Sequence, residues 1–139
     1  MSRKILAVVF GIVVALVLII AIEALSHAVY PMPEGLDLTN QEALQAYIMD
    51  LPIAALLFVL AAWLAATLVG GLLACFIAKE SPLVYSAIIG GLVLLGTIIN
   101  LMSIPHPRWF SITSIVAIIA TIFLSGRLGS SFVAAPADD

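Results

Sequence analysis

The chain has 139 residues, of which 64% are hydrophobic and only 9% are charged, and its formal net charge is -3. A water-soluble domain of this size needs polar side chains over its surface, so this composition excludes a soluble globular protein. The five basic residues form no basic stripe, which excludes nucleic acid as a partner.

Four apolar segments follow one another along the chain. A membrane-spanning helix needs about 20 mostly apolar residues, and all its backbone groups must be satisfied within the helix. We therefore predict an all-α membrane protein, an antiparallel bundle of four transmembrane helices that forms one domain over residues 1–129. The predicted spans cover residues 5–25, 53–77, 83–104 and 108–126.

The first segment carries an acidic residue. Glu23 lies about one turn inside the predicted outer end of the span, where an ionised carboxylate is costly. His27 follows four residues later and so lies on the same helix face. The segment is too long for the apolar part of a signal peptide, so we expect it to be retained as the first span.

A long loop joins the first two segments. Thr39 and Glu42 have the spacing of a capping box, which predicts a short amphipathic helix over residues 40–49. We expect this helix to lie in the first extracytoplasmic loop, over the outer face of the bundle. Asp50 is placed to cap the second span. The apolar face of the short helix consists of Leu44, Tyr47, Ile48 and Leu51.

Small residues in the second and third segments predict close helix packing. They recur at four-residue spacing or occur as adjacent pairs, which lets two backbones approach closely. The short link over residues 78–82 makes these two spans an antiparallel hairpin. The sequence leaves open whether the packing is within one chain or between chains. The residues concerned are Ala66, Gly70, Ala74, Gly90 and Gly91.

The end of the third segment adds more polar residues. Asn100 lies about one turn inside the outer end of the third span, and the loop that follows carries His106 and Arg108. Residues 130–139 are predicted to be a disordered cytoplasmic tail. A candidate functional cluster at the outer face therefore comprises Glu23, His27, Asp50, Asn100, His106 and Arg108.

Three interpretations of this cluster remain open. It is a hydrogen-bonded network that ties helix ends to loops, or a proton- or ligand-binding site in which His27 is the titrating partner of Glu23. The third is a metal site formed by Glu23, His27 and His106. These ligand types suit zinc or another divalent ion, the only cofactor that the sequence suggests.

The distribution of basic residues predicts the orientation. Positive residues favour the cytoplasmic side. Arg108 is the basic residue of the outer loops, so both termini are expected in the cytoplasm, most naturally of a bacterial inner membrane. The basic residues on the other side are Arg3, Lys4, Lys79 and Arg127.

No Ser/His/Asp order, phosphate-binding loop or paired-histidine motif is present, so we favour a non-enzymatic protein. The leading hypothesis is an accessory subunit or homo-oligomer that acts through helix association within the lipid bilayer, since little of the chain remains outside the spans. The alternative is a carrier or sensor for a proton, a cation or a small ligand, which uses the outer cluster around Glu23 and His27. A membrane enzyme is the third alternative, and a metal-dependent one would need Glu23, His27 and His106 close together.

Overall fold

The computed structural model describes residues 2–133 and is helical throughout its regular structure. Four of its helices are long and apolar enough to cross a membrane, and the described residues include no strand. The prediction of an all-helical chain with four such helices is confirmed. The helices are α1 (Arg3–Val29), α2 (Gln41–Asp50), α3 (Ile53–Ala78), α4 (Pro82–Ser103) and α5 (Arg108–Gly129), followed by a 3-10 turn, Ser130–Phe132.

Prolines and left-handed residues set the limits of the long helices. α1 ends where Tyr30 precedes Pro31, because the residue before a proline disfavours the helical conformation. Between α3 and α4, Lys79 and Ser81 adopt positive φ angles of 56° and 40°, which reverses the chain within a few residues. α4 then begins at Pro82, whose missing N–H is not needed in a first turn.

α1 and α3 run in opposite directions and touch backbone to backbone. A Cβ atom placed on Gly70 would lie 2.8 Å from the Gly11 carbonyl oxygen, and one on Gly11 would lie 2.9 Å from the Gly70 carbonyl oxygen. Ala15 and Ala74 flank this contact, and Ala66 is fully buried nearby on α3. The small residues of α3 therefore pack within the chain, where no larger side chain fits.

α5 packs beside both α3 and α4, and polar side chains link the helices. Ser86 on α4 donates its hydroxyl to the Ile122 carbonyl oxygen at 2.7 Å. Ser125 on α5 donates to the Leu68 carbonyl oxygen of α3 at 3.3 Å. A Cβ on Gly90 would overlap the Ile122 side chain. Gly90 is thus a packing residue inside the chain, as Gly70 is.

An ion pair and two hydrogen bonds stabilise the end of the molecule at which α1 begins. We call this end the Arg3 end. Arg3 donates to the Ala78 carbonyl oxygen at 2.7 Å. The Lys4 ammonium lies 2.8 Å from the Glu80 carboxylate, and its hydrogen bond lowers the pKa of Glu80. Tyr85 donates to the same carboxylate at 3.2 Å. These contacts hold the start of α1 against the turn between α3 and α4.

The short helix α2 is capped differently from the prediction. Its N-cap is Asn40, whose side-chain oxygen accepts the backbone N–H groups of Glu42 at 3.1 Å and Ala43 at 3.2 Å. The predicted capping box is wrong, because Thr39 donates its hydroxyl and its N–H to the Asp37 carboxylate instead. These bonds lower the pKa of Asp37. The Asp37 carboxylate thus binds the Thr39 hydroxyl that the capping box would have used.

The predicted cap of α3 is also wrong. Asp50 is the last residue of α2, and Pro52 precedes α3 without a side-chain cap. Leu51 is extended between them. Because α2 continues one residue further than predicted, the Asp50 backbone is helical and its side chain is exposed at the end of α2.

The outer surface of the four long helices is apolar. Met102 is 83% exposed, and Ile20 and Ile53 are each about two-thirds exposed. Exposed apolar surface on every long helix is unfavourable in water and suits hydrocarbon. Gly91 belongs to this surface, since no atom of the described residues lies within 4 Å of the position of its Cβ.

The predicted disordered tail begins with an ordered turn. Ser130–Phe132 form the 3-10 turn, and the Phe132 ring packs edge-on against Phe76 of α3, with 5.4 Å between centroids. The remainder of the predicted tail, residues 134–139, lies outside the described residues.

Candidate functional site

Glu23 lies in the last two turns of α1 and is half-buried. Within residues 2–133 it has no basic side chain within salt-bridge distance and accepts no hydrogen bond. His27, one turn further along α1, is exposed. The end of the molecule that contains these two residues is the Glu23 end. Glu23 is therefore an acidic side chain that lies within an apolar helix and has no partner among residues 2–133, and such a position is energetically costly.

Asn100 occupies the last turn of α4. Its backbone carbonyl accepts the N–H of Ile104 at 2.9 Å, so the backbone is satisfied. Its side-chain oxygen is buried and has no hydrogen-bond partner among the described residues. An unmade hydrogen bond of this kind costs about 1–3 kcal/mol. Such an oxygen is a ready acceptor for a donor that enters the site.

A cavity of about 370 Å³ lies at the Glu23 end. It is enclosed by the end of α1, the loop and helix α2, the start of α3 and the segment after α4. The apolar face of α2 forms one wall, through Leu44, Tyr47 and Ile48. We call it the outer cavity. Its polar lining consists of Glu23, Ser26, His27, Tyr30, Tyr47, Asn100 and His106.

A second cavity of about 320 Å³ lies deeper, between α1 and α4, with Trp63 of α3 in its wall. We call it the inner cavity. Glu23 and Asn100 line both cavities, and Thr97 is the other polar aliphatic side chain of the inner one. Glu23 and Asn100, whose oxygen atoms have no partner among residues 2–133, thus lie where the outer cavity, which has several polar side chains, meets the more apolar inner cavity.

Two contacts orient His106 in the lining of the outer cavity. Its Nδ1 lies 2.8 Å from the Ile104 carbonyl oxygen, and its ring stacks on Phe110 with 5.2 Å between centroids. Burial lowers the pKa of His106 from 6.5, so the ring is neutral at pH 7. A carbonyl only accepts, so Nδ1 carries the proton and Nε2 is left as an acceptor.

Four of the six predicted cluster residues line the outer cavity, and two do not. Asp50 and Arg108 are exposed, line neither cavity and form no ion pair within the described part of the chain. Both belong to helix ends, Asp50 to the end of α2 and Arg108 to the start of α5. Their side chains therefore contribute to neither cavity.

The predicted metal triad is not assembled. In residues 2–133, no three His, Cys, Asp or Glu side chains lie close enough together to hold a metal ion. The orientation of the His106 ring is set by its hydrogen bond to the Ile104 carbonyl oxygen and by its stacking on Phe110. Neither contact involves Glu23 or His27.

Trp63 and Thr97 are cavity residues that the sequence analysis did not select. Thr97 could have been found, because it precedes Asn100 by three residues and so shares its helix face. It is almost completely buried. Trp63 gives no such signal, since its place in the wall depends on how α3 packs against α1 and α4.

The chain matches no protein-family model, and no curated protein or solved structure is significantly similar to it. The class of protein therefore rests on the fold itself. Four helices long and apolar enough to cross a membrane indicate a multi-pass membrane protein.

Proposed function

We propose that this protein is a non-enzymatic carrier or sensor that binds a small ligand at Glu23 and Asn100 in the membrane. The observation that carries the proposal is the position of these two residues. Both line the outer and the inner cavity, and each presents oxygen atoms that no described residue satisfies.

The two residues define what the ligand must offer. An amide oxygen accepts hydrogen bonds only, and an ionised carboxylate does the same. A ligand with N–H or O–H groups would satisfy both, and the low dielectric strengthens such bonds. The other acidic residues of this end, including Glu34 and Asp37, make its potential negative and favour a cationic head.

The outer cavity supplies the surroundings of that head group. His27 lies one helical turn beyond Glu23, and neutral His106 offers Nε2 as an acceptor. Tyr30 and Tyr47 add aromatic side chains to the lining of the outer cavity. Aromatic faces attract cations, so these rings support the same head-group chemistry.

The proposed setting is an antiparallel four-span bundle in a bacterial inner membrane with both termini in the cytoplasm. The basic residues support this orientation, since four of the five belong to the Arg3 end. Helix α2 then lies over the extracytoplasmic face and covers the outer cavity. The ligand would be met from that side or from within the bilayer.

Ethylamine is a suitable probe, because its ammonium group carries three N–H donors and almost no apolar chain. A Trp109→Phe variant in lipid nanodiscs leaves Trp63, a residue of the inner cavity, as the fluorescent reporter. We expect ethylamine to change Trp63 emission, and Glu23→Gln to weaken binding at least tenfold.

Glu34→Gln is the matched control for that experiment. Glu34 is exposed and lines neither cavity, although it is the same residue type at the same end of the molecule. Equal affinity in the two variants, or no saturable response of the parent protein, would overturn the proposed function.

A second candidate function is association with a second copy or a larger membrane complex. The small residues of α3 and Gly90 pack against other helices of the same chain. The hypothesis of association therefore depends on Gly91. Its surface position on α4 allows another helix to approach closely. If Gly91→Leu leaves the oligomeric state in native mass spectrometry unchanged, this candidate fails.

A further inference from the structure

We infer that the ligand is an amphiphile with one apolar chain, and that it reaches the site from the lipid through the cleft between α1 and α4. The inference rests on the proposed function, because the head group is the donor held by Glu23 and Asn100. The chain occupies the inner cavity.

The inner cavity has the form of a channel for a single chain. On α1 its lining extends from Ile12 to Glu23, a helix length of about 16 Å. Its volume of about 320 Å³ is spread over that length, so the cavity is narrow. Below Glu23 its lining is apolar, apart from Thr97 one turn from Asn100. The apolar residues are Ile12, Ala15, Leu16, Ile19, Trp63, Ile89, Leu92 and Val93.

The polar atoms fix the direction of the ligand. Glu23, Asn100 and Thr97 lie together at the end of the inner cavity that adjoins the outer cavity. The head group therefore lies at that end and the chain points toward Ile12 and Ile89. An apolar cavity does not retain water, and an alkyl chain regains the dispersion contacts that an empty cavity forfeits.

The side of the inner cavity opens onto the lipid-facing surface. Leu16 on α1 and Leu92 on α4 line the cavity, and each is about half exposed. Gly96 also lines it, and no atom of residues 2–133 lies within 4 Å of the position of its Cβ. Deeper in the molecule, Gly11 contacts Ile89 and closes the gap between α1 and α4.

Two glycines on α4 provide a matched pair of variants. Leucine fits at both positions without a steric clash at Cβ, because both Cβ positions are open. Gly96→Leu places a side chain in the cleft, whereas Gly91→Leu places it on the surface outside either cavity. Any effect of added bulk on α4 itself is therefore common to the two variants.

The test compares ethylamine with n-decylamine, which has the same head group and a long chain. Both are titrated against Trp63 emission of the Trp109→Phe protein in nanodiscs. We expect Gly96→Leu to weaken decylamine binding at least tenfold and to leave ethylamine binding within twofold. Gly91→Leu should change neither. Leu92→Phe narrows the same cleft, and we expect it to have the same effect on the two amines as Gly96→Leu. It replaces Gly96→Leu in the test if Gly96→Leu does not fold.

The outcomes separate the chain from the head group. The inference is overturned if decylamine binds equally well to the parent protein, to Gly96→Leu and to Leu92→Phe. It is also overturned if the cleft variants lose binding of both amines, or if Gly91→Leu loses decylamine binding. The proposed function survives these results as long as Glu23→Gln weakens ethylamine. If Glu23→Gln changes neither amine, the proposed function itself fails.

Discussion

Glu23 on α1 and Asn100 on α4 lie at the same depth and line both cavities. The register follows from the contact between Gly11 and Ile89, from which both residues lie at nearly equal distances along their parallel helices. Two acceptors that no residue in 2–133 satisfies are unfavourable for folding alone. Their position at the junction of the two cavities supports the ligand site proposed above.

The first prediction concerns the cost of the Asn100 side chain. Asn100→Leu removes a buried oxygen that has no partner among the described residues, so we expect the protein to become more stable by about 1 kcal/mol. Ethylamine binding should be lost at the same time. Thermal unfolding in detergent and the Trp63 titration measure the two effects.

Ser114→Ala is the control for that variant. The Ser114 hydroxyl is also buried without a partner within the described residues, but it lines neither cavity. We expect unchanged or slightly higher stability and unchanged binding. A stabilised Asn100→Leu protein that still binds ethylamine as tightly as the parent contradicts the assigned role of the amide.

The second prediction concerns pH. Burial lowers the pKa of His106 from 6.5, so the unfolded protein binds this proton more readily than the folded one. The contribution of neutral His106 to stability is full above pH 6.5 and is lost as the pH falls below that value. We expect a lower unfolding temperature at pH 5.5 than at pH 7.5.

His106→Asn should reduce this pH dependence, because asparagine keeps an N–H donor near the Ile104 carbonyl oxygen and does not titrate. For each protein, the unfolding temperature at pH 5.5 is subtracted from that at pH 7.5. Comparing this difference between the variant and the parent protein cancels the contribution of other titrating groups. A difference as large in His106→Asn as in the parent protein would show that His106 is not the responsible group.

The third prediction separates packing within the chain from association. Gly70→Leu forces α1 and α3 apart, because a Cβ on Gly70 already meets the Gly11 backbone. We expect a loss of several kcal/mol, in the range of severe overpacking. A Cβ on Gly91 has no atom of residues 2–133 within 4 Å, so Gly91→Leu should unfold at the temperature of the parent protein. A stable Gly70→Leu protein would refute the close contact between α1 and α3.

The fourth prediction concerns orientation. Cys75 is the single cysteine of the sequence and is buried, so a Cys75→Ser protein provides a background for labelling. In intact cells, a membrane-impermeant maleimide should label Glu34→Cys and should label Ser131→Cys only after lysis. Both positions are exposed. The reverse pattern would place the termini outside.

The sequence determined the four long helices, because each apolar segment must satisfy its backbone polar groups within itself. It also selected Glu23, His27, Asn100 and His106, which share one cavity. Their common level follows from their distance to the helix ends, and that distance can be counted along the sequence.

Tertiary structure decided which way each helix faces, since rotation about the axis depends on the neighbouring helices. It excluded Asp50 and Arg108 from the cavities and gave the N-cap of α2 to Asn40, because Asp37 engages Thr39. It also turned Gly70 inward and Gly91 outward. Only the packing of α1 against α3 and α4 creates the inner cavity, because a void exists between helices and not within any one of them.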